Sequence, residues 1–215
     1  MKSKTNRSRL LAVVGGCAAL ALGGAALSKP GTTSPAPAVA RGALLVHIGG
    51  CNHCHTPWVF EPKLGIPVPD MKRMLSGHPA GGPDPEGNRG KHDVALIGPT
   101  FTSFAMPFGT VYAPNLTPHK DRGLGSWTEK MFIDAFRKGK HMGGDGRAIL
   151  PPMPWMDLAA LPDADLKALF AYLRTIPESD NAVPDHKVPE AAYMAVTDNF
   201  EKLKKAMQEQ KGSSP

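Results

Sequence analysis

The chain has 215 residues, 41% hydrophobic and 20% charged, enough for one domain of ordinary size with appendages and too few for a large multidomain enzyme. Its 23 glycines and 22 prolines make about a fifth of the sequence against roughly 12% in average proteins, so long loops and a few short helices are expected. Five of the 25 Lys and Arg (Lys2, Lys4, Arg7, Arg9, Lys29) fall within residues 1–40 and none of the 19 acidic residues does. Residues 41–215 therefore carry 20 basic against 19 acidic groups, and the basic patch that a nucleic-acid partner requires is not visible.

The first forty residues run in the order of a secretory signal: basic residues, an uncharged stretch from Leu10 to Leu27, then Ser, Pro, Thr and Ala up to Ala40. The apolar run sits at the lower edge of a spanning helix and is diluted by Ala and Gly. Three fates stay open. Ala38-Val39-Ala40 offers a small-x-small cleavage site before Arg41, the run suits a retained single anchor, and Val14-Gly15-Gly16-Cys17 loosely resembles a lipidation box. The expected location is periplasmic, either soluble after cleavage or tethered to the inner membrane, with membrane contact only through this segment.

Residues 40–50 read as a first helix, with Leu44, Leu45 and Ile48 at helical spacing and Gly42, Val46 and Gly49 as a small-residue stripe open to another helix. Directly after it stands Cys51-Asn52-His53-Cys54-His55. Two thiols two residues apart reach the two vinyl groups on one side of a haem and form thioethers, and the next residue places an imidazole under the iron. Cys51 and Cys54 are thus candidate haem attachments, and His55 is a candidate axial ligand. A redox CxxC, a zinc site and a simple disulfide are rival readings. The first needs an α/β pattern that the Gly- and Pro-rich sequence downstream lacks. Zinc needs a second ligand pair, whereas His78, His92, His119, His141 and His186 are scattered singly. One covalently attached haem c is the cofactor expected.

From Thr56 to Leu124 no period is sustained and many Pro and Gly mark turns, which predicts a long ordered loop with at most a short hairpin. Ser126-Trp127-Thr128-Glu129 has the form of a capping box, and Phe132, Ile133, Ala135 and Phe136 continue it as a helix to a stop at Gly139. Asp163–Thr175 is the next helix, with Leu166, Leu169, Phe170 and Leu173 on one face. That face is the expected partner of the Gly42 and Gly49 stripe. A weaker amphipathic pattern from Ala191 to Met207 suggests a late, frayed helix. The domain reading is 1–40 leader with linker, 41–185 folded domain, and 186–215 C-terminal extension.

The far side of the iron needs a sixth ligand. Met153, in Ile149-Leu150-Pro151-Pro152-Met153-Pro154-Trp155, is the first candidate, because the prolines fix the backbone and hold a thioether still without a helix. Met106, in Ala105-Met106-Pro107-Phe108, is the second, Met142 and Met156 follow, and a His ligand stays open. Most of the ten methionines must be gap-filling core residues. Arg147, Trp127, Trp155 and Asn115 are candidates for holding propionates, with surface-loop and core-packing roles equally open.

These stretches together resemble the class I c-type cytochromes, in particular the monohaem exported kind related to the cytochrome subunits of quinone-linked dehydrogenases. Four carry the resemblance in order: Gly42 to Pro57; Leu75-Ser76-Gly77-His78-Pro79; Ala113-Pro114-Asn115-Leu116-Thr117-Pro118 running to Thr128; and Arg147 to Trp155 followed by Asp165 to Arg174. The resemblance implies a mostly α, cytochrome c-like fold with long ordered loops, wrapped around a single covalent haem. It implies thioethers at Cys51 and Cys54 and axial ligands at His55 and Met153. Many related subunits carry two or three haem motifs, whereas this chain has one CxxCH.

The function expected is one-electron transfer with both axial sites filled and no catalytic residue. Redox partner proteins are expected, whether a dehydrogenase, an oxidase or another cytochrome. Two rivals stand beside it: a haem enzyme or gas-binding sensor with an open sixth site, and a non-catalytic subunit of a dehydrogenase complex. No carboxylate pair, Ser-His-Asp set or phosphate loop points to a hydrolase or nucleotide enzyme.

Overall fold

The computed structural model describes residues 36–87, 94–144 and 146–212. Leu10 to Leu27, Cys17 and His92 lie outside the described residues. The first helix, α1 (Pro37–Ile48), has proline among its first residues, where the missing N–H has no helical partner to lose. It begins inside the segment read as leader and linker, so Ala38-Val39-Ala40 lies in its opening turn. A short helix α2 (Cys51–His55) follows the left-handed Gly50.

The stretch read as loop contains more regular structure than its sequence shows, and the fold is mixed rather than mostly helical. Strands β1 (Trp58–Glu61) and β2 (Ile66–Pro69) form an antiparallel hairpin, with Trp58 opposite Pro69 and Glu61 opposite Ile66. Strands β3 (Leu96–Ile97), β4 (Ser103–Met106) and β5 (Gly109–Tyr112) form a three-stranded antiparallel sheet in that order. Strands of two to four residues are too short to display a period of two. The hairpin also carries Pro67 and Pro69, tolerated because it is an edge structure with Phe60, Leu64 and Ile66 exposed.

Helix α3 (Glu129–Lys138) is capped by Thr128, whose Oγ1 accepts from the Met131 N–H at 3.2 Å. Thr128, two residues past Ser126, is therefore the working N-cap. Gly139, in the left-handed conformation, ends the helix as expected. After a one-turn helix α4 (Trp155–Leu158) comes α5 (Asp163–Leu173), and α6 (Glu190–Gly212) closes the described chain.

The main core joins Leu45 and Val46 of α1, Phe132 and Phe136 of α3, and Leu166, Leu169, Phe170 and Leu173 of α5, with Trp155 and Leu75. Helices α1 and α5 come close at Gly42, where an added Cβ would lie 2.0 Å from the Ala168 carbonyl oxygen and 2.7 Å from the Tyr172 Cβ. Gly49 is exposed and takes no part in that crossing. Arg41 adds a bidentate ion pair to Asp165, both bonds 2.9 Å. A second cluster, Phe104, Met106, Val111 and Leu150, sits on the three-stranded sheet, with Val188 and Tyr193 packed against it.

Candidate functional site

Helix α2 is short but specific in what it presents. Residues three and four apart share a helix face, so Cys51, Cys54 and His55 stand on adjoining sides of a single turn. Cys51 packs against the main core, while Cys54 is exposed and lines a large cleft. Burial raises the pKa of both thiols, the reverse of the lowered thiol that a redox CxxC uses. Among the described residues no three His, Cys, Asp or Glu side chains gather as a metal site.

His55 is buried, 5% exposed, and its Nδ1 lies 2.9 Å from the Pro114 carbonyl oxygen. A carbonyl only accepts, so Nδ1 carries the proton and Nε2 keeps its lone pair. Burial holds the imidazole below its ordinary pKa, against the Pro114 hydrogen bond. The side chain is a neutral, oriented nitrogen donor.

Three of the stretches that carry the resemblance meet at this histidine. The Gly77 N–H donates to the His55 carbonyl at 2.8 Å, the His78 N–H to the Ala113 carbonyl at 2.9 Å and the Leu116 N–H to the Leu75 carbonyl at 2.9 Å. Thr56, fully buried, donates to Asn52 at 2.8 Å and accepts from the Leu75 N–H at 2.9 Å. Asn115 is already engaged within the protein: its amide donates to the carbonyls of Ser179 and Asn181, and its oxygen accepts from the N–H and hydroxyl of Thr117. It is a loop anchor and not a free donor.

The cleft is partly open, and its walls border about 1090 Å³ of atom-free space, open solvent included. Cys54 and His55 line it, as do Leu124 and Trp127 from the loop before α3, Phe132 and Phe136 of α3, and Tyr112 of β5. Met153 also lines it, half-buried, on a loop whose Met153 N–H donates to the Leu150 carbonyl at 3.3 Å. Arg137 secures the chain beyond that loop by donating to the carbonyls of Ala159 and Leu161 and to Asp163.

The competing methionines fall elsewhere. Met106 is 7% exposed within the second cluster, Met142 is exposed, and Met156, like Met153, packs against the main core, but none of the three lines the cleft. Of the candidate propionate partners, Arg147, Trp127 and Asn115 line the cleft, while Trp155 belongs to the main core. Three lining residues, Arg122, His141 and His186, were not legible as site residues. Isolated in sequence, they carry no spacing signal.

A thiol pair, a neutral imidazole with its outer nitrogen fixed, an apolar cleft and a thioether on its wall fit a covalently attached haem. Comparison with known proteins agrees over part of the chain. No family model matches it. A 67-residue stretch is 42% identical to one of the subunits of the nicotinate dehydrogenase of Pseudomonas putida, covering 31% of this chain and 6% of that protein. A 66-residue stretch is 39% identical to the cytochrome c subunit of the quinone alcohol dehydrogenase of Gluconobacter oxydans, covering 31% of this chain and 13% of that subunit. A third match, 34% over 79 residues, is to a diheme c-type cytochrome of Cereibacter sphaeroides, covering 37% of this chain and 26% of that cytochrome. This chain therefore spans a small part of the length of the relatives it matches, and over about a third of its own length its homologues are cytochrome c subunits of dehydrogenases and a diheme cytochrome c.

Proposed function

We propose that this chain is an exported electron-transfer protein with a single haem c, bonded through Cys51 and Cys54 and ligated by His55 and Met153, serving a dehydrogenase as its redox partner. The observation that carries the reading is the meeting of Cys54, His55 and Met153 on the walls of one apolar cleft. A haem held there supplies a one-electron couple, and a nitrogen and thioether pair places its potential above that of two imidazoles.

The chain's residues keep that couple simple. Pro114 holds the His55 ring by its outer nitrogen. The proline-rich loop places Met153 on the cleft wall, where its thioether would fill the sixth position of a bound haem. Leu124, Phe132 and Phe136 give the cleft buried apolar walls. The cytochrome subunits among the relatives support a dehydrogenase as partner. No helix among the described residues is long and apolar enough to cross a membrane, and on this reading any anchoring rests with residues 1–35.

Carbon monoxide tests the proposal against a gas-binding or enzymatic role. The ferrous protein at neutral pH is expected not to bind it. Rapid binding would mean that Met153 does not occupy the sixth position.

A further inference from the structure

The segment following the cytochrome-like part is built into the cleft. Lys187 pairs with Thr110 of β5 through two backbone bonds of 2.9 and 3.0 Å. The pairing is close because Gly109 has no side chain: a Cβ there would lie 2.4 Å from the Lys187 carbonyl oxygen. The Lys187 ammonium bonds the Asp84 carboxylate, which also accepts from the Tyr112 hydroxyl. Val188 and Tyr193 pack on the second cluster, and the Tyr193 hydroxyl donates to the Ala148 carbonyl at 2.7 Å. The segment is thereby fixed from Lys187 onward, directly after His186.

His186 is held in one tautomer. Its Nδ1 accepts from the Tyr112 backbone N–H at 3.3 Å, so the neutral ring carries its proton on Nε2. Arg147 lines the same cleft, and its backbone carbonyl accepts from the His141 N–H at 2.9 Å. Among the described residues the lining holds two guanidiniums, Arg122 and Arg147, and three imidazoles, and no carboxylate. A largely apolar cavity with such an excess of donors suits a flat apolar ligand that bears carboxylates.

We infer that Arg147 and His186 form a carboxylate site that takes a propionate of the porphyrin, His186 acting as a neutral Nε2–H donor. The inference rests on the haem reading above. It assigns His186 to the cofactor site instead of to an appendage.

The groups that face His186 keep it neutral. Burial acts first, then the Arg147 charge, with Asp185 opposing and His141 adding to the effect, and together they bring its pKa down to about 4. His141 is likewise lowered by burial and by Arg147. Tyr193, raised by burial and by Glu190 and lowered by Arg147, and the Lys187–Asp84 pair complete the surroundings. A guanidinium and an N–H donor both favour the ionised carboxylate. In the chain before a carboxylate is bound, His186 is therefore neutral between about pH 5 and 8, the range in which ordinary histidines titrate.

The test is the haem reduction potential against pH across that range in the matured protein, in His186→Phe and in His186→Gln. The wild-type potential is expected to be flat. With the donor removed in His186→Phe the carboxylate titrates inside the window, and the potential falls as pH rises because the anion favours ferric iron. Glutamine, which also offers an N–H, restores the flat profile. A flat profile for His186→Phe, or a wild-type slope that His186→Phe abolishes, overturns the inference. Should His186→Phe fail to mature, nitrogen NMR of the wild-type ring decides: a neutral ring protonated on Nε2 throughout supports the assignment, and an imidazolium or an Nδ1–H tautomer refutes it. A chain with no covalent haem refutes the underlying reading instead.

Discussion

Gly42→Ala tests the helix crossing that carries the haem-bearing turn. The new methyl would sit 2.0 Å from the Ala168 carbonyl oxygen, and ordinary contact begins at 3.4 Å, so α1 and α5 must part by about 1.4 Å or bend. The obstacle is helix backbone, which cannot swing away as a side chain does. A radial gap of 0.5–1 Å already forfeits roughly a quarter to a half of a contact's attraction, and Leu45, Val46, Leu166, Leu169 and Leu173 all pack at this seam. Overpacking costs about 1–3 kcal/mol, and alanine returns roughly 0.5–1 kcal/mol of helix propensity. With several core residues displaced together, the upper part of the range applies and the net loss is about 2 kcal/mol. In a chain of this size that is a fall of about 4–8 °C in Tm. Thermal unfolding of the matured protein, followed by helical circular dichroism and by the haem absorbance, measures it. His47→Ala, on the exposed side of α1, serves as a control and is expected to stay within about 0.5 kcal/mol. A Gly42→Ala protein as stable as wild type, or more stable, refutes the crossing at this residue.

Met153→Ala is expected to alter the haem spectrum and lower the potential, whereas Met106→Ala leaves both unchanged and costs about 2–5 kcal/mol as a core cavity; absorbance spectra with urea unfolding separate the two, and the reverse pattern exchanges their roles. Arg41 holds the Asp165 carboxyl below the ordinary carboxylate range. A group whose folded pKa is depressed stabilises above its unfolded value, about 3.9, and loses that contribution as pH falls through the folded value. The stability gap between wild type and Asp165→Asn should therefore be complete at neutral pH and close in acid, as read from urea midpoints at the two pH values. Arg137→Met removes the bonds to Ala159, Leu161 and Asp163; a loss of about 1–3 kcal/mol is expected in the urea midpoint.

What could be read from residues alone follows from how far each signal reaches along the chain. Leu166, Leu169, Phe170 and Leu173 show helical spacing within two turns, and Gly139 marks a helix end by itself, so both features were legible. The CxxCH stands in five consecutive residues, and the prolines on either side of Met153 made it the first candidate among the methionines. The strands were not legible: β3 spans two residues and β2 alternates proline with Ile66 and Val68, so neither displays a period. The capping box misled by two residues, because Ser126 and Thr128 are both good caps and only the chain path selects Thr128. His186 and Tyr112 meet across 74 residues, and no local pattern announces such a contact. The same holds for Pro114, which orients His55 from 59 residues away.

The account depends most on the attachment of the cofactor. A pyridine haemochrome spectrum of protein produced with haem-maturation machinery, taken before and after acid-acetone extraction, measures both the bond type and the number of haems. The expected result is the spectrum of a porphyrin with both vinyl groups saturated, one per chain, retained on the polypeptide after extraction. Pigment that partitions into the acetone, or a colourless matured protein, contradicts it.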